Sequence, residues 1–304
     1  MQLKPSALAG WALFLLLLFL SIFYAIASLG TMRAPGIVSY LLLGGVEILV
    51  FGIPTIILKR YRPLYGLVRL RGKPFPRIYT MYVLSSSLAL TFLSFVLNCL
   101  CVLPFGRTPT GLQSYYPIQA NVSPQVVWTA AAALSVIPAI VEELFLRGAI
   151  FSLYEKRGTM TALILTSCAF SMLHASPDVL LPTLVAGMGY GYMLYCTDSV
   201  WAPILAHLCN NLYALFITVM AAKYPYNHTW EYFIAANVVL MFLCGYVAFR
   251  TLRNLARENA APRFEPGPGT FRSNLGGAMG TAGFALFAGL FLIRLLMTLL
   301  PSFS

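Results

Sequence analysis

Three short clusters of polar residues interrupt otherwise apolar sequence, and their residue types could hydrolyse a bond. The first is Glu142-Glu143-Leu144-Phe145-Leu146-Arg147. Adjacent carboxylates on a helix point about 100° apart, whereas Glu143 and Arg147, at i and i+4, share a face and can pair. That pairing neutralises one carboxylate and leaves Glu142 free as a general base or acid. The second cluster is Phe170-Ser171-Met172-Leu173-His174, in which Phe170 and His174 share a helix face. The third is His207-Leu208-Cys209-Asn210-Asn211, in which His207 and Asn211 do the same. Two of the three histidines thus lie in apolar segments; the third, His228, reads as a solvated loop residue. A carboxylate, two imidazoles and an amide can activate water and donate hydrogen bonds to a developing oxyanion. No G-x-S-x-G or H-E-x-x-H motif occurs, and no serine stands out as a nucleophile. Direct attack by activated water is the expected chemistry.

The elements that must position these residues are membrane helices. The chain has 304 residues, 59% hydrophobic and only 10% charged, against about 25% charged in soluble domains. Nine segments approach the roughly 20 apolar residues needed to span a bilayer: 7–29, 36–58, 78–102, 124–153, 159–175, 179–196, 201–222, 231–249 and 280–300. The fold class is therefore all-α, a polytopic transmembrane bundle of eight or nine helices. Net charge is +11, but the basic residues fall in short loops, which points to membrane topology and away from nucleic acid. Fifteen of them lie on one side and three on the other, with Arg147 and Arg294 inside segments. The positive-inside rule then makes the N-terminus cytoplasmic. Ionisable groups inside a bilayer are costly, so the three clusters are functional candidates.

Other features receive plainer readings. The six cysteines lie in apolar stretches without C-x-x-C spacing and read as small apolar fillers. Segment one reads as an anchor; cleavage near Ala25-Ile26-Ala27 as a signal peptide is the alternative. The basic loop 59–77 reads as solvated, with an interfacial helix through Leu64, Leu67 and Leu70 as the alternative. The stretch 262–269 reads as a linker. Asn227-His228-Thr229 is a glycosylation sequon. Glu47 lines the site or pairs with another helix, Arg294 snorkels outward, and Asp178 caps the following helix. His207 lies only about 10 Å from the start of its segment. It reaches the depth of Glu142 and His174 if the loop 197–200 dips inward or the segments tilt or break.

Glu-Glu-x-x-x-Arg, Phe-x-x-x-His and His-x-x-x-Asn, in that order on successive segments, resemble the CPBP family of intramembrane proteases. These are the CAAX prenyl proteases of the Ras-converting type and their bacterial relatives, among them bacteriocin-processing and self-immunity proteins. The lead-in Ser199-Val200-Trp201-Ala202-Pro203-Ile204-Leu205-Ala206-His207 is similar to bacterial members. The resemblance covers about 124–220 and implies a catalytic core there, flanked by helices in 1–123 and 221–304. It implies that Glu142 activates water, that His174 helps hold it, and that His207 and Asn211 form the oxyanion hole. Glu143 and Arg147 become orienting partners, and Phe170 lines the substrate site. The implied partner is a membrane-associated peptide, prenylated in eukaryotic members, and the implied setting is a bacterial cell membrane. The resemblance favours a metal-free mechanism; zinc on Glu142, His174 and His207 is the alternative. A catalytically silent immunity or binding protein and a proton-coupled transporter are the competing functions.

Overall fold

Prolines set where the membrane helices change their winding. In the computed structural model, which describes residues 4–28, 36–61, 64–102, 122–224, 228–258 and 264–299, helix α2 (Ile37–Glu47) passes through a π-helical stretch, Ile48–Gly52, into α3 (Ile53–Arg60). A longer helix runs α5 (Pro124–Ala131), π-helical Ala132–Val136, α6 (Ile137–Glu143), π-helical Leu144–Ile150 and α7 (Phe151–Glu155). Pro54 and Pro138 each stand in the first turn after a π stretch. Proline has no N–H to donate and its ring crowds the preceding turn, so widening that turn lets the helix continue. The third π stretch has no proline; it carries Arg147 and Gly148.

The remaining helices are α1 (Pro5–Ser28), α4 (Thr80–Val102), α8 (Thr159–His174), α9 (Pro177–Thr197), α10 (Trp201–Lys223), α11 (His228–Arg257), α12 (Phe271–Met279) and α13 (Ala282–Leu299). Among the described residues all regular structure is helical. Among the described residues eight helices are long and apolar enough to cross a membrane, and α8 is a shorter apolar one. The nine expected segments are therefore all helices, and the protein is a multi-pass integral membrane protein. The sequence reading missed α12 and ended segment eight short of Arg257. The sequon residue Asn227 and the loop residues Arg33, Arg62, Arg107 and Arg263 lie outside the described residues.

Helix α4 packs against α9, α10 and α11, α8 against α9, and α1 against α13. The α1–α13 contact is close because both helices have glycine there: a Cβ on Gly283 would lie 2.4 Å from the Trp11 nitrogen. Pro182 sits inside α9 and leaves the Asp178 carbonyl without its helical donor. The Asn98 amide donates to that carbonyl at 3.2 Å, tying α4 to the bend. Asp178 itself lies in the first turn of α9, where its charge suits the helix dipole, and Ser176 is the capping position.

The basic loop corrects its sequence reading. Tyr65, Arg69, Lys73 and Arg77 are exposed as that reading expects, but Leu64 and Val68 are buried in the main core, and residues 68–73 form a non-helical strap across the helix ends. The Arg71 guanidinium meets Glu155 and Asp198, each at 2.7 Å, and lies over the Phe151 ring. The strap also covers the loop before α10. Val200 N–H donates to the Arg71 carbonyl at 2.9 Å. The Ser199 hydroxyl donates to the Lys73 carbonyl at 2.6 Å, and the Trp201 indole to that of Gly72 at 2.8 Å. Ser199 and Val200 are buried, so α10 starts beneath the strap.

Two plainer readings also change. Within the expected linker, Phe264 stacks on Tyr195 with ring centroids 4.7 Å apart, and the Thr159 N–H donates to the Glu265 carbonyl at 3.2 Å. This stretch packs on the α7–α8 turn. Arg294 is half-buried and lies over the Tyr24 ring of α1 at 5.8 Å, facing inward.

Candidate active site

Glu143 and Arg147 are fully buried and form the expected i/i+4 pair, with Arg147 Nη1 2.9 Å from Glu143 Oε1. A charge this deep needs further partners, and the neighbouring helix supplies them. Arg147 Nη2 donates to the Gly187 carbonyl on α9 at 3.1 Å. The guanidinium also lies over the Phe170 and Tyr190 rings, at 4.8 and 5.5 Å. Gly187 permits this approach: a Cβ there would sit 3.3 Å from Arg147 Nη2 and 3.2 Å from Phe170 Cδ1.

The same carboxylate oxygen reaches a histidine. His207 Nδ1, on α10, lies 3.0 Å from Glu143 Oε1. An ionised carboxylate can only accept, so Nδ1 donates and Nε2 points elsewhere. The imidazole stacks on Tyr190 with centroids 5.3 Å apart and planes 20° apart. Phe170 meets it edge-on at 5.3 Å. Arg147 and His207 are thus two cationic or cation-capable groups held on one buried carboxylate.

His174 ends α8. Its Nδ1 lies 2.8 Å from the Phe170 carbonyl; a carbonyl only accepts, so the hydrogen is on Nδ1 and the neutral ring keeps a lone pair on Nε2. The ring stays exposed and meets Phe170 edge-on at 5.0 Å. Ala175 stops the helix at once by adopting φ 45°, ψ 35°, a left-handed conformation costly to a residue with a Cβ. Such strain clusters at functional sites, and here it fixes His174 at a helix end.

Glu142 is nearly buried and makes no hydrogen bond among the described residues. The charges bearing on it are those of Glu47, Glu143 and Arg147. Asn211 lies one turn beyond His207 on α10, half-buried. The structure therefore brings Glu143, Arg147, Phe170, His174 and His207 into one cluster. Glu142 adjoins that cluster, and Asn211 stands beside it without direct contact.

Two contributors escaped the sequence reading: Tyr190 and the Gly187 carbonyl. The alternation Gly187, Gly189, Gly191 around Tyr190 was the available signal, since it marks a face where helices approach closely. Two serine hydroxyls near the cluster are engaged, whereas the buried Tyr190 hydroxyl has no hydrogen-bond partner among the described residues. Ser167 donates to the Leu163 carbonyl at 2.6 Å and Ser171 to that of Leu180 at 2.7 Å. Among the described residues no three His, Cys, Asp or Glu side chains are grouped to hold a metal ion.

Comparison with known proteins bears on this same segment. Residues 124–213, which hold all seven expected site residues, match the family model described as Type II CAAX prenyl endopeptidase Rce1-like. The family resemblance read from the three motifs is thus met by the family model. A curated protein of Bacillus subtilis (strain 168), named Putative membrane peptidase YdiL, is 32% identical over 84 residues. Those residues are 27% of this chain and 34% of that protein, so the chain matches about a third of its relative's length. No solved structure matches the chain.

Proposed function

We propose that the protein is an intramembrane endopeptidase that hydrolyses a membrane-associated peptide bond with water activated by Glu142. The observation that carries this reading is the division of labour between adjacent carboxylates. Glu143 is committed to Arg147 and His207, whereas Glu142 has no hydrogen-bond partner among the described residues. A base must have a free lone pair and a fixed position, and the committed neighbour supplies the position.

The steps follow from the atoms left over. Glu142 takes a proton from water as the water oxygen bonds to the peptide carbonyl carbon. His174 Nε2, whose ring hydrogen is used on the Phe170 carbonyl, accepts from the same water and aims it. Negative charge builds on the carbonyl oxygen. His207 in its imidazolium form donates to it from Nε2 while Nδ1 stays on Glu143, and the Asn211 amide donates beside it. When the carbon–nitrogen bond breaks, Glu142 returns its proton to the leaving nitrogen. Arg147 offsets the charge of Glu143, and Phe170 lines the peptide site. No metal takes part in this reading.

The name of the matched family supports a prenylated C-terminal peptide as one substrate class. The test is cleavage of membrane peptides with and without a prenyl group by purified protein in lipid nanodiscs. Glu142→Ala should lower turnover by about 10²- to 10⁴-fold, with chelators leaving the wild type active. Equal cleavage by folded Glu142→Ala overturns the assignment of the base. Reversible loss on chelation, restored by zinc, overturns the metal-free step.

A further inference from the structure

Glu47 is the one charged residue of α2, and the contacts on either side of it fix its level in the bundle. A Cβ on Gly44 would lie 2.9 Å from Ile137 Cδ1 and 3.4 Å from the Ala133 Cα, so α2 touches the long helix there. Seven residues on, Phe51 meets Phe145 edge-on with ring centroids 5.8 Å apart. Both contacts advance along the two helices in the same direction, so the helices run parallel. Interpolation sets Glu47 level with residues 138–140, about 2–6 Å along the axis from Glu142 at 1.5 Å per residue. Gly44 and Glu47 are three residues apart and share the face turned to the long helix.

The two carboxyl groups complement one another. Glu47 Oε2 is buried with no hydrogen-bond partner, and Glu142 makes no hydrogen bond among the described residues. Glu47 also heads the charged groups that bear on Glu142. Arg147, the cation closest in sequence, is engaged by Glu143 and the Gly187 carbonyl. Two adjacent carboxylates cannot both ionise cheaply in apolar surroundings, and a buried polar atom requires a partner. One hydrogen between them answers both demands. The winding agrees with a built arrangement: the π stretch without a proline begins directly after Glu143, and π turns within α-helices recur at functional sites.

We infer that Glu47 is a positioning residue that shares one proton with Glu142 across the contact between α2 and α6. This rests on the proposed role of Glu142 as base. The Glu47 hydroxyl donates to one oxygen of Glu142 and turns the other toward the attacking water. When Glu142 takes the water proton, the pair holds two protons. One passes to the leaving nitrogen, and the pair returns to one.

Infrared difference spectroscopy of the full chain in nanodiscs tests the shared proton without any substrate. The wild type should show one protonated-carboxyl band that shifts in deuterium oxide. Glu47→Gln and Glu142→Gln should each displace or remove that same band, and the double variant should lose nothing more. A wild type without the band overturns the inference. So does a Glu47 band left unmoved by Glu142→Gln. In the peptide assay Glu47→Gln should lower kcat on the order of 10²-fold with KM unchanged, and Glu47→Asp should recover part of it. Unchanged kcat in Glu47→Gln also overturns the inference. If the shared band is present but Glu142→Ala cleaves normally, it is the role of Glu142 as base that has failed.

Discussion

Two arginines withdrawn from solvent sit at different places in this bundle with nearly the same partners. Arg147 meets Glu143 at 2.9 Å and lies 4.8 Å over Phe170. Arg71 meets Glu155 and Asp198 at 2.7 Å and lies 5.5 Å over Phe151. The difference is in what else the carboxylates hold. Glu143 also orients His207 and is itself fully buried. Asp198 is largely exposed and Glu155 partly so, and they hold nothing but the strap. The same ion pair is thus used once to orient a buried histidine and once to fasten a loop. The identity of the arginine does not reveal which; its partner's second contact does.

The largest effect expected from breaking this comparison comes from Arg147→Met. It leaves the Glu143 carboxylate buried without its cation, which costs about 3–5 kcal/mol. Thermal unfolding in detergent should show a clearly lowered midpoint and no turnover. Glu143→Leu with Arg147→Met removes both charges and should recover most of the stability while staying inactive. A double variant that cleaves peptide would show that this pair is a fastener too.

Arg71→Gln should separate the two readouts. It removes charged hydrogen bonds worth about 1.5–3 kcal/mol, discounted because Asp198 is largely exposed. Unfolding should shift by less than in Arg147→Met, and trypsin should cut the strap faster. Turnover per folded molecule should stay close to wild type. A loss of turnover matching that of Arg147→Met, with the fold retained, would make the strap part of the catalytic machinery.

The sequence discloses one of these pairs because of separation along the chain. Glu143 and Arg147 are four residues apart on one helix, and the helix period alone predicts the contact. Glu155 and Asp198 are 84 and 127 residues from Arg71, and no local period reports such a meeting. The hydrogen bond of His207 to Glu143 crosses 64 residues and was hidden for the same reason. So was the Tyr190 stack, although its flanking glycines marked the face. The membrane helices were legible because hydropathy and length decide them. The strap was not, because the helical spacing of Leu64, Leu67 and Val68 among arginines suggests an interfacial helix, whereas their burial depends on contacts distant in sequence. The π stretches before Pro54 and Pro138 have a cause visible in sequence; the one carrying Arg147 has none that we identify.

Gly148 joins the two regions, and its substitution is the smallest and most discriminating test. It follows Arg147 directly, and Leu70, the residue before Arg71, packs on it. A Cβ on Gly148 would lie 2.9 Å from Leu70 Cδ2 and 3.4 Å from the Leu70 Cα. The methyl end can rotate aside, but the backbone cannot, so the strap must move by a few tenths of an ångström. Overpacking of this kind costs about 1–3 kcal/mol, whereas replacing glycine by alanine inside a helix returns about 1 kcal/mol. The net change for Gly148→Ala is therefore a destabilisation of about 0–2 kcal/mol, below that of Arg71→Gln. Faster tryptic cleavage after Arg69 and Arg71 should report the displaced strap, with turnover nearly unchanged. If turnover falls while the unfolding midpoint holds, the strap's position is transmitted through Gly148 to Arg147. The fastening arginine and the orienting one then act as a single device, and the distinction drawn between them fails at this one contact.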